Sequence, residues 1–294
     1  MVLFVKNITN ITRKNSKRSD YEYESKQIRF DFYKEVFNSG AELVSQNPMA
    51  VVYNLFGRRF MHLNGGPGHP ITPAISFYIM AESNEEAETI WSQLIIDGKV
   101  LMPLNEYPWS KKYGWCADKF GVNWQIIVDY TSSCKVMPSM LFCGDNAGKA
   151  EEAIAYYRSL FTDSSIVEMR KYEKGGPDTE GFIMYAQFEL NQLPFGIMDS
   201  SAPHAFSITD AVSFTISVNT QNEIDYYWDY LTKEGAPGKC GWLQDRYGVH
   251  WQIVPSILGK YMTNPETAPK ATYAFLQMSK FIIADLEKAV EENN

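Results

Sequence analysis

Residues 241–254 read GWLQDRYGVHWQIV, and residues 114–127 read GWCADKFGVNWQII. Eight of these fourteen positions are identical, and the shared residues are Gly, Trp, Asp, Gly, Val, Trp, Gln and Ile. Identity of this extent between two distant stretches of one chain indicates a duplicated structural unit. The repeat therefore predicts that the chain is built from two related halves.

The repeated sequence has the pattern of a β-hairpin. Asp245 is a residue type favoured at the first position of a tight turn, and Gly248 can supply the positive φ that closes the turn. Strand alternation then places the bulky residues of 249–253 on one face and the amide of Gln252 on the other. Because a buried amide without a partner is costly, Gln252 is expected to bond a neighbouring strand or a ligand.

Composition argues against several classes of partner. The chain has 294 residues, of which 45% are hydrophobic, and this suggests roughly two domains with substantial cores. Its 35 acidic and 27 basic residues give a net charge of −8, which argues against nucleic acid or an anionic membrane as a partner. No apolar run approaches the roughly 20 residues that cross a bilayer. The four cysteines form no CxxC motif, so we expect a cytoplasmic protein with reduced thiols.

Each half is predicted to contain the element order β-α-β-β-β twice. The second half shows it clearly, with opening strands at residues 136–142 and 212–218. In the first half the opening strand is hard to place, because residues 1–28 are polar and basic, which is typical of a solvated start and compatible with a transit peptide. The first half also carries ten extra residues within 99–113, which we interpret as a loop insertion.

Longer motifs resemble the PhnB-like family. They are the run from Cys240 to Pro255, the helix around residues 223–228, the sequence FMHLNGGP at residues 60–67, and the tail over residues 262–286. The resemblance covers most of residues 30–290. This family is part of the vicinal oxygen chelate superfamily, which includes glyoxalase I, bleomycin-resistance proteins and extradiol dioxygenases.

The resemblance implies an α+β fold of tandem glyoxalase-like domains. Each domain is expected to contain two βαβββ modules whose eight-stranded mixed sheet curls around a cavity. The first domain is expected at residues 1–131, with a divergent N-terminus and the 99–113 loop insertion, and the second at residues 132–256. A helical tail is expected at residues 257–294. We expect the two domains to pack as an internal pseudo-dimer, and the resemblance leaves a homo-oligomer open.

Metalloenzymes of this superfamily hold a divalent ion with residues on the first and last strands of each module. The last-strand positions here are Gln125 and Gln252, which are neutral and therefore weak ligands beside a carboxylate. The expected first-strand positions fall on Ala74, Pro138 and Ala211, which have no coordinating side chain. We therefore expect no cofactor, with a divalent metal ion as the alternative, and we assign no catalytic residue and no metal ligand.

Candidate ligand-binding residues come from the two hairpins and from the ends of nearby strands. They are Trp242, His250, Gln252, Asp199, Trp115, Gln125, Asn64 and His62. Each has a structural alternative. The tryptophans could be core residues and the glutamines could bond a neighbouring strand, while turn capping is the favoured role for Asp199 and Asn64.

Two classes of function remain open. We favour a binding protein of the glyoxalase and bleomycin-resistance type, with a small organic ligand in an aromatic-lined cavity. The alternative is a metal-dependent lyase, isomerase or dioxygenase with unusual ligands such as His62 or His250. The methyltransferase label of the family gains no support, because the sequence shows no glycine-rich loop followed by an acidic residue to hold a methyl-donor nucleotide. A partner-binding scaffold with a filled cavity is a further alternative.

Overall fold

The structure is a computed structural model, and it describes residues 2–6, 29–46, 50–63, 68–132 and 134–291. The chain divides into two compact units. The smaller unit contains Met1–Phe4 and Val212–Asn294, and the larger unit contains Val5–Ala211.

A first βαβββ module starts with a strand whose first residues, up to Phe4, belong to the smaller unit, and its other elements belong to the larger unit. Strand β1 (Val2–Lys6) is followed by helix α1 at residues 29–37 and by strands β2 (Ala41–Gln46), β3 (Ala50–Leu55) and β4 (Arg58–Leu63). The last three strands are antiparallel neighbours in that order. Phe56 and Gly57 have φ values of 49° and 77°, and such a two-residue turn with positive φ matches the twist of paired strands.

An eight-stranded mixed sheet lies wholly within the larger unit. Its strands are β5 (Ile75–Ala81), β6 (Lys99–Tyr107), β7 (Ser110–Ala117), β8 (Asn123–Val128), β9 (Val136–Phe142), β10 (Ser164–Lys171), β11 (Ile183–Leu190) and β12 (Leu193–Asp199). They lie in the order β10-β11-β12-β9-β5-β8-β7-β6. The central strands β5 and β9 are antiparallel to each other, and their other neighbours, β8 and β12, run parallel to them. Helices α2 (Asn84–Leu94) and α3 (Ala150–Leu160) follow the two central strands.

This sheet combines the second and third βαβββ modules of the chain, residues 75–128 and 136–199. The expected domain boundary between residues 131 and 132 therefore lies in the chain segment that connects β8 to β9, two strands of this one sheet. The expected pairing of modules within 1–131 and within 132–256 is replaced here by a pairing across that boundary. The physical reason is that each module has the same strand pattern, so the opening strand of one module can pair with that of either neighbour.

The sequence predicts a loop at residues 99–113, and this prediction is wrong. These residues form β6 and the start of β7, which are antiparallel neighbours with several register shifts. Strand β6 is at the edge of the sheet, where Pro103 is tolerated because its missing N–H would face solvent. The ten extra residues therefore lengthen a hairpin.

The smaller unit contains a fourth βαβββ module and the helical tail. Its elements are β13 (Val212–Val218), α4 (Gln221–Thr232), β14 (Ala236–Pro237), β15 (Trp242–Gln244), β16 (His250–Pro255), α5 (Ile257–Thr263), α6 (Ala268–Leu276) and α7 (Ile283–Glu291). The strands of this unit lie in the order β14-β15-β16-β13-β1. Helix α4 begins with a capping box, in which Thr220 and Glu223 bond each other's backbone N–H.

The two repeated hairpins have the same internal structure. In the second, Asp245 accepts hydrogen bonds from the backbone N–H groups of Tyr247 and Val249 at 2.9 and 3.0 Å, and from Trp251 Nε1 at 2.8 Å. Asp118 makes the same three bonds in the first hairpin, to Phe120, Val122 and Trp124. The predicted hairpins are confirmed, and the aspartate of each turn also fixes the buried tryptophan of the following strand.

The described part of the chain includes no helix with both the length and the apolar character needed to cross a membrane.

Candidate functional site

A cavity of ≈ 650 Å³ opens on one face of the eight-stranded sheet. Strands β5 to β8 line one side of it, and strands β10 to β12 line the other. The apolar part of the lining includes Tyr78, Met80, Met102, Tyr113, Trp115 and Ile127. Protein cavities of about 300–1,000 Å³ hold small-molecule ligands, and such cavities are mostly apolar with a few polar groups. The size and lining of this cavity are therefore those of a ligand site.

Trp115 lines the cavity, and its indole contains an unsatisfied hydrogen-bond donor. Its Nε1–H is buried and has no hydrogen-bond partner among the residues that the structure describes. Leaving a buried donor unsatisfied costs about 1–3 kcal/mol, so a donor of this kind is uncommon in a folded protein. An acceptor atom on a bound molecule would remove that cost.

Gln125 lies beside Trp115 and supports the cavity wall. In the sheet, Gln125 on β8 is the register partner of both Trp115 on β7 and Tyr78 on β5. The Gln125 side chain is fully buried: its Oε1 accepts from the Tyr113 hydroxyl at 2.5 Å, and its Nε2 donates to Ser76 Oγ at 2.7 Å. Both ends of the amide are therefore occupied within the protein. Gln125 orients Tyr113 and does not itself line the cavity.

Three tyrosines at the cavity remain neutral at physiological pH. Burial raises the pKa of the Tyr78, Tyr113 and Tyr185 phenols above the ordinary value. The Tyr78 hydroxyl lies 3.9 Å from the thioether of Met198, and it is also hydrogen-bonded to the Tyr113 side chain. The phenol groups at the cavity are thus neutral, hydrogen-bonding groups.

Charged residues lie around the cavity on the β10 side and on the β7 side. Arg170 pairs with Glu168 at 3.1 Å, and the Arg170 guanidinium lies 5.5 Å from the centre of the Tyr185 ring. Lys112 pairs with Glu88 at 2.5 Å. These are exposed or half-exposed pairs, which contribute little to stability, so their significance here is their position at the cavity.

The mouth of the cavity carries an aromatic cluster from the long β6–β7 hairpin. Trp109 stacks on Tyr107 with ring centres 5.1 Å apart and an interplanar angle of 22°. Tyr113 meets the edges of both rings, at 5.7 and 6.0 Å. Trp109 lines the cavity although 51% of its surface is exposed.

Other candidate residues of the larger unit lie away from this cavity. Asp199 is buried at the end of β12 and accepts from the backbone N–H groups of Gly148, Ala150 and Ile183 at 2.8–3.2 Å. His62 is buried on the side of β4 that faces α1, where its Nε2 bonds the Tyr53 hydroxyl at 2.9 Å. Both residues therefore have structural partners. Asn64 lies outside the described residues.

The smaller unit repeats the glutamine arrangement. Gln252 on β16 is the register partner of Trp242 on β15, and its Nε2 donates to Ser213 Oγ at 3.0 Å. Trp242 and His250 are half-buried. The Trp–Gln pair is thus a feature of both repeated hairpins, whereas Tyr78 is replaced by Thr215 at the position beside the glutamine.

The strands that would hold a metal ion in this fold do not carry a fitting set of ligands. The position equivalent to Gln125 and Gln252 is Met198 in the third module, since Met198 pairs with Leu141 as Gln125 pairs with Tyr78. The amide of Gln125 is already engaged at both ends. Within the described ranges, no group of three or more His, Cys, Asp or Glu side chains could hold a metal ion. Neutral amide and thioether groups are poor ligands for a hard cation, so these residues do not fit a divalent metal ion.

Sequence reasoning missed most of the cavity residues. Tyr78 lies on β5, where all seven residues are buried, so no alternation of polar and apolar residues distinguishes the cavity face. Tyr185 and Arg170 belong to the third module. The domain boundary expected from the sequence separates this module from Trp115. Trp109 was visible as part of the ten-residue insertion, and an insertion with exposed aromatic residues is a signal that could have identified it.

Comparison with known proteins agrees with this fold. A family model described as 3-demethylubiquinone-9 3-methyltransferase matches residues 24–127 and 134–254, which is more than half of the chain. No curated protein matches the chain.

Three solved structures illustrate the similarity. A PhnB protein from Bacillus cereus is 36% identical, and the match covers 40% of this chain and 98% of that protein, with a TM-score of 0.37. Glyoxalase I from Zea mays is 12% identical over 90% of this chain and 95% of its own, with a TM-score of 0.60. A mutant of the same enzyme is 14% identical over 86% and 92%, with a TM-score of 0.57.

At such low identity the likeness to glyoxalase I shows a shared fold alone. The expected α+β architecture of glyoxalase-like βαβββ modules is therefore confirmed. By its two matched segments, this chain belongs to the PhnB-like family, whose model is described as 3-demethylubiquinone-9 3-methyltransferase.

Proposed function

We propose that this protein binds a small organic molecule in the cavity of the larger unit, and that no metal ion takes part in the site. The observation that carries the proposal is the buried Nε1–H of Trp115, which has no described partner at the wall of a ≈ 650 Å³ cavity. A bound acceptor would satisfy this donor, and burial of the ligand against the apolar lining would supply most of the binding free energy.

The polar groups of the cavity define what the ligand must present. Trp115 can only donate a hydrogen bond, and the neutral hydroxyls of Tyr78 and Tyr113 line the same cavity. A carbonyl, carboxylate or sulfonate group would accept from the Trp115 indole. The proposed ligand is therefore a largely apolar molecule with an oxygen acceptor at one end.

The test replaces Trp115 with phenylalanine and measures binding of the fluorescent probe 8-anilinonaphthalene-1-sulfonate by titration. Trp115→Phe keeps an aromatic ring and removes the donor, so we expect the dissociation constant to rise by roughly ten- to a hundredfold, since a hydrogen bond to a charged group is worth about 1.5–3 kcal/mol. The same change should lower the unfolding free energy by less than about 1 kcal/mol, because the lost donor is unsatisfied in the free protein.

Trp91→Phe is the matched control, since Trp91 lies on α2 and does not line the cavity. It should leave the probe affinity within a factor of two of the wild type. Equal affinities in the wild type and Trp115→Phe, or no probe binding at all, would overturn the proposal. Added divalent ions should not change the affinity.

A further inference from the structure

We propose that the cavity selects ligands with a flat conjugated ring, and that Trp109 provides the surface on which the ring stacks. The inference rests on the proposed function, because it names the ligand class of the same cavity. It concerns the mouth of the cavity, whereas the proposed function rests on Trp115 in its wall.

Trp109 reaches the cavity because the β6–β7 hairpin is long. Strands β6 and β7 contain nine and eight residues, whereas their counterparts in the smaller unit, β14 and β15, contain two and three. The tip of the long hairpin places Trp109, Ser110 and Lys111 at the cavity lining. A short hairpin like that of the smaller unit would end before this point.

The Trp109 ring is held in place although half of it is exposed. One face stacks on Tyr107, whose hydroxyl donates to the carbonyl of Pro103 at 2.9 Å. Tyr113 contacts the Trp109 edge and is itself fixed by its bond to Gln125. A ring that is already immobilised loses little conformational entropy when a ligand binds, so it is a preorganised contact surface.

An exposed indole that is fixed by its neighbours favours flat aromatic partners over saturated ones of the same size. Aromatic rings attract each other in offset-stacked and edge-to-face arrangements, beyond the contribution of buried area. A saturated ring has no flat π face, so only the apolar area that it buries against Trp109 contributes to its binding free energy. Trp109 and Trp115 line the same cavity, so one ligand can place its ring at the mouth and its acceptor at the inner donor.

The test compares two probes with one skeleton, 2-naphthoate and decahydro-2-naphthoate, by isothermal titration calorimetry on the full chain. The wild type should bind 2-naphthoate more tightly. Trp109→Ala should weaken 2-naphthoate binding roughly two- to tenfold more than it weakens decahydro-2-naphthoate binding, since only the first loses an aromatic pair as well as contact area. Trp109→Phe should retain most of the preference.

The matched control is Tyr273→Ala, which removes another exposed aromatic residue, 74% exposed on α6 of the smaller unit. It should change neither affinity. A third probe, 2-naphthylmethylammonium, has the same ring and a donor-only head, and it should bind more weakly than 2-naphthoate to the wild type.

The outcomes separate the two proposals. If both naphthoate probes bind equally and depend on Trp115 but not on Trp109, ring selection is wrong and the proposed function stands. If neither probe binds, both proposals are wrong. A stronger affinity for the ammonium probe would also overturn the inference, since it would make Trp109 a cation-binding surface.

Discussion

At the scale of single residues, two buried serines in the sheet have opposite environments. Ser76 and Ser139 are register partners on the central strands β5 and β9, and both are buried. Ser76 Oγ accepts from the Gln125 amide, whereas Ser139 Oγ has no partner in the described part of the chain. The difference arises because the third module has Met198 where the second has Gln125.

This contrast predicts opposite effects of one substitution at two adjacent sites. Ser76→Ala should lower the free energy of unfolding by about 1–3 kcal/mol, because the Gln125 Nε2–H loses its acceptor in a buried site. Ser139→Ala should be neutral or stabilising, because it removes a buried hydroxyl that has no partner. Urea unfolding of the two variants beside the wild type measures both values. Equal losses in the two variants would contradict the interpretation of the network.

A second prediction concerns pH and His62. Burial, followed by the positive charge of Arg29, lowers the pKa of His62 well below 6.5. Below pH 6.5 the unfolded chain therefore takes up a proton that the folded protein excludes, so stability from the neutral imidazole is full above pH 6.5 and is lost as the pH falls. The stability difference between wild type and His62→Phe should be constant above pH 6.5.

Below that pH the wild type should lose up to about 1.4 kcal/mol per pH unit relative to His62→Phe. Denaturant unfolding of both proteins between pH 5 and pH 8 measures this difference. If it did not change over the range, a solvent-accessible His62 with an ordinary pKa would be indicated.

At the scale of elements, the C-terminal tail is attached to the smaller unit by specific bonds. Gln221, at the start of α4, donates to the carbonyl of Phe281 at 3.1 Å and accepts from the backbone N–H of Ile283 at 2.9 Å. Lys280 pairs with Asp225 and Asp229 on the same helix, at 2.7 and 3.3 Å. Helix α7 is therefore positioned by α4.

Gln221→Ala should loosen the tail without unfolding the unit. The variant loses both bonds to the segment before α7, so hydrogen exchange and protease cleavage in residues 278–291 should become faster. Thermal unfolding should change little, since each lost bond contributes only about 1 kcal/mol. Asn222→Ala, at the exposed neighbouring position, is the control and should leave the tail protected. Unchanged exchange in Gln221→Ala would mean that Lys280 and apolar packing hold the tail.

Local sequence patterns predict some of the observed elements and not others. The tight turns at Asp118 and Asp245, the helix capped by Thr220 and the strands at residues 136–142 and 212–218 follow from local patterns, and the structure contains them. The strand β6 could not be predicted. Two prolines at positions 103 and 108 and frequent register shifts conceal its alternation, and only its pairing with β7 makes it a strand.

At the scale of the whole molecule, the sequence predicts the βαβββ modules, but it does not predict which modules share a sheet. Each βαβββ module has the same periodic pattern of apolar residues. The opening strand of one module can therefore pair with the opening strand of any other module. The pairing of β5 with β9 is set by long-range packing, which leaves no local mark in the sequence. The candidate site depends on that choice, because Trp115 and Tyr185 line one cavity only when the second and third modules share a sheet.

The position of the long hairpin at the sheet margin has one more consequence. Among the described strands β6 has a neighbour on one side only, so residues can be added to or removed from the hairpin tip without changing the partners of the other described strands. Grafting hairpins of different length or composition onto this margin would therefore reshape the entrance while the donor inside stays in place. The preference for a ligand's ring shape would then depend on the hairpin, and the hydrogen bond to its acceptor would depend on the inner strands. Each property could be altered without the other.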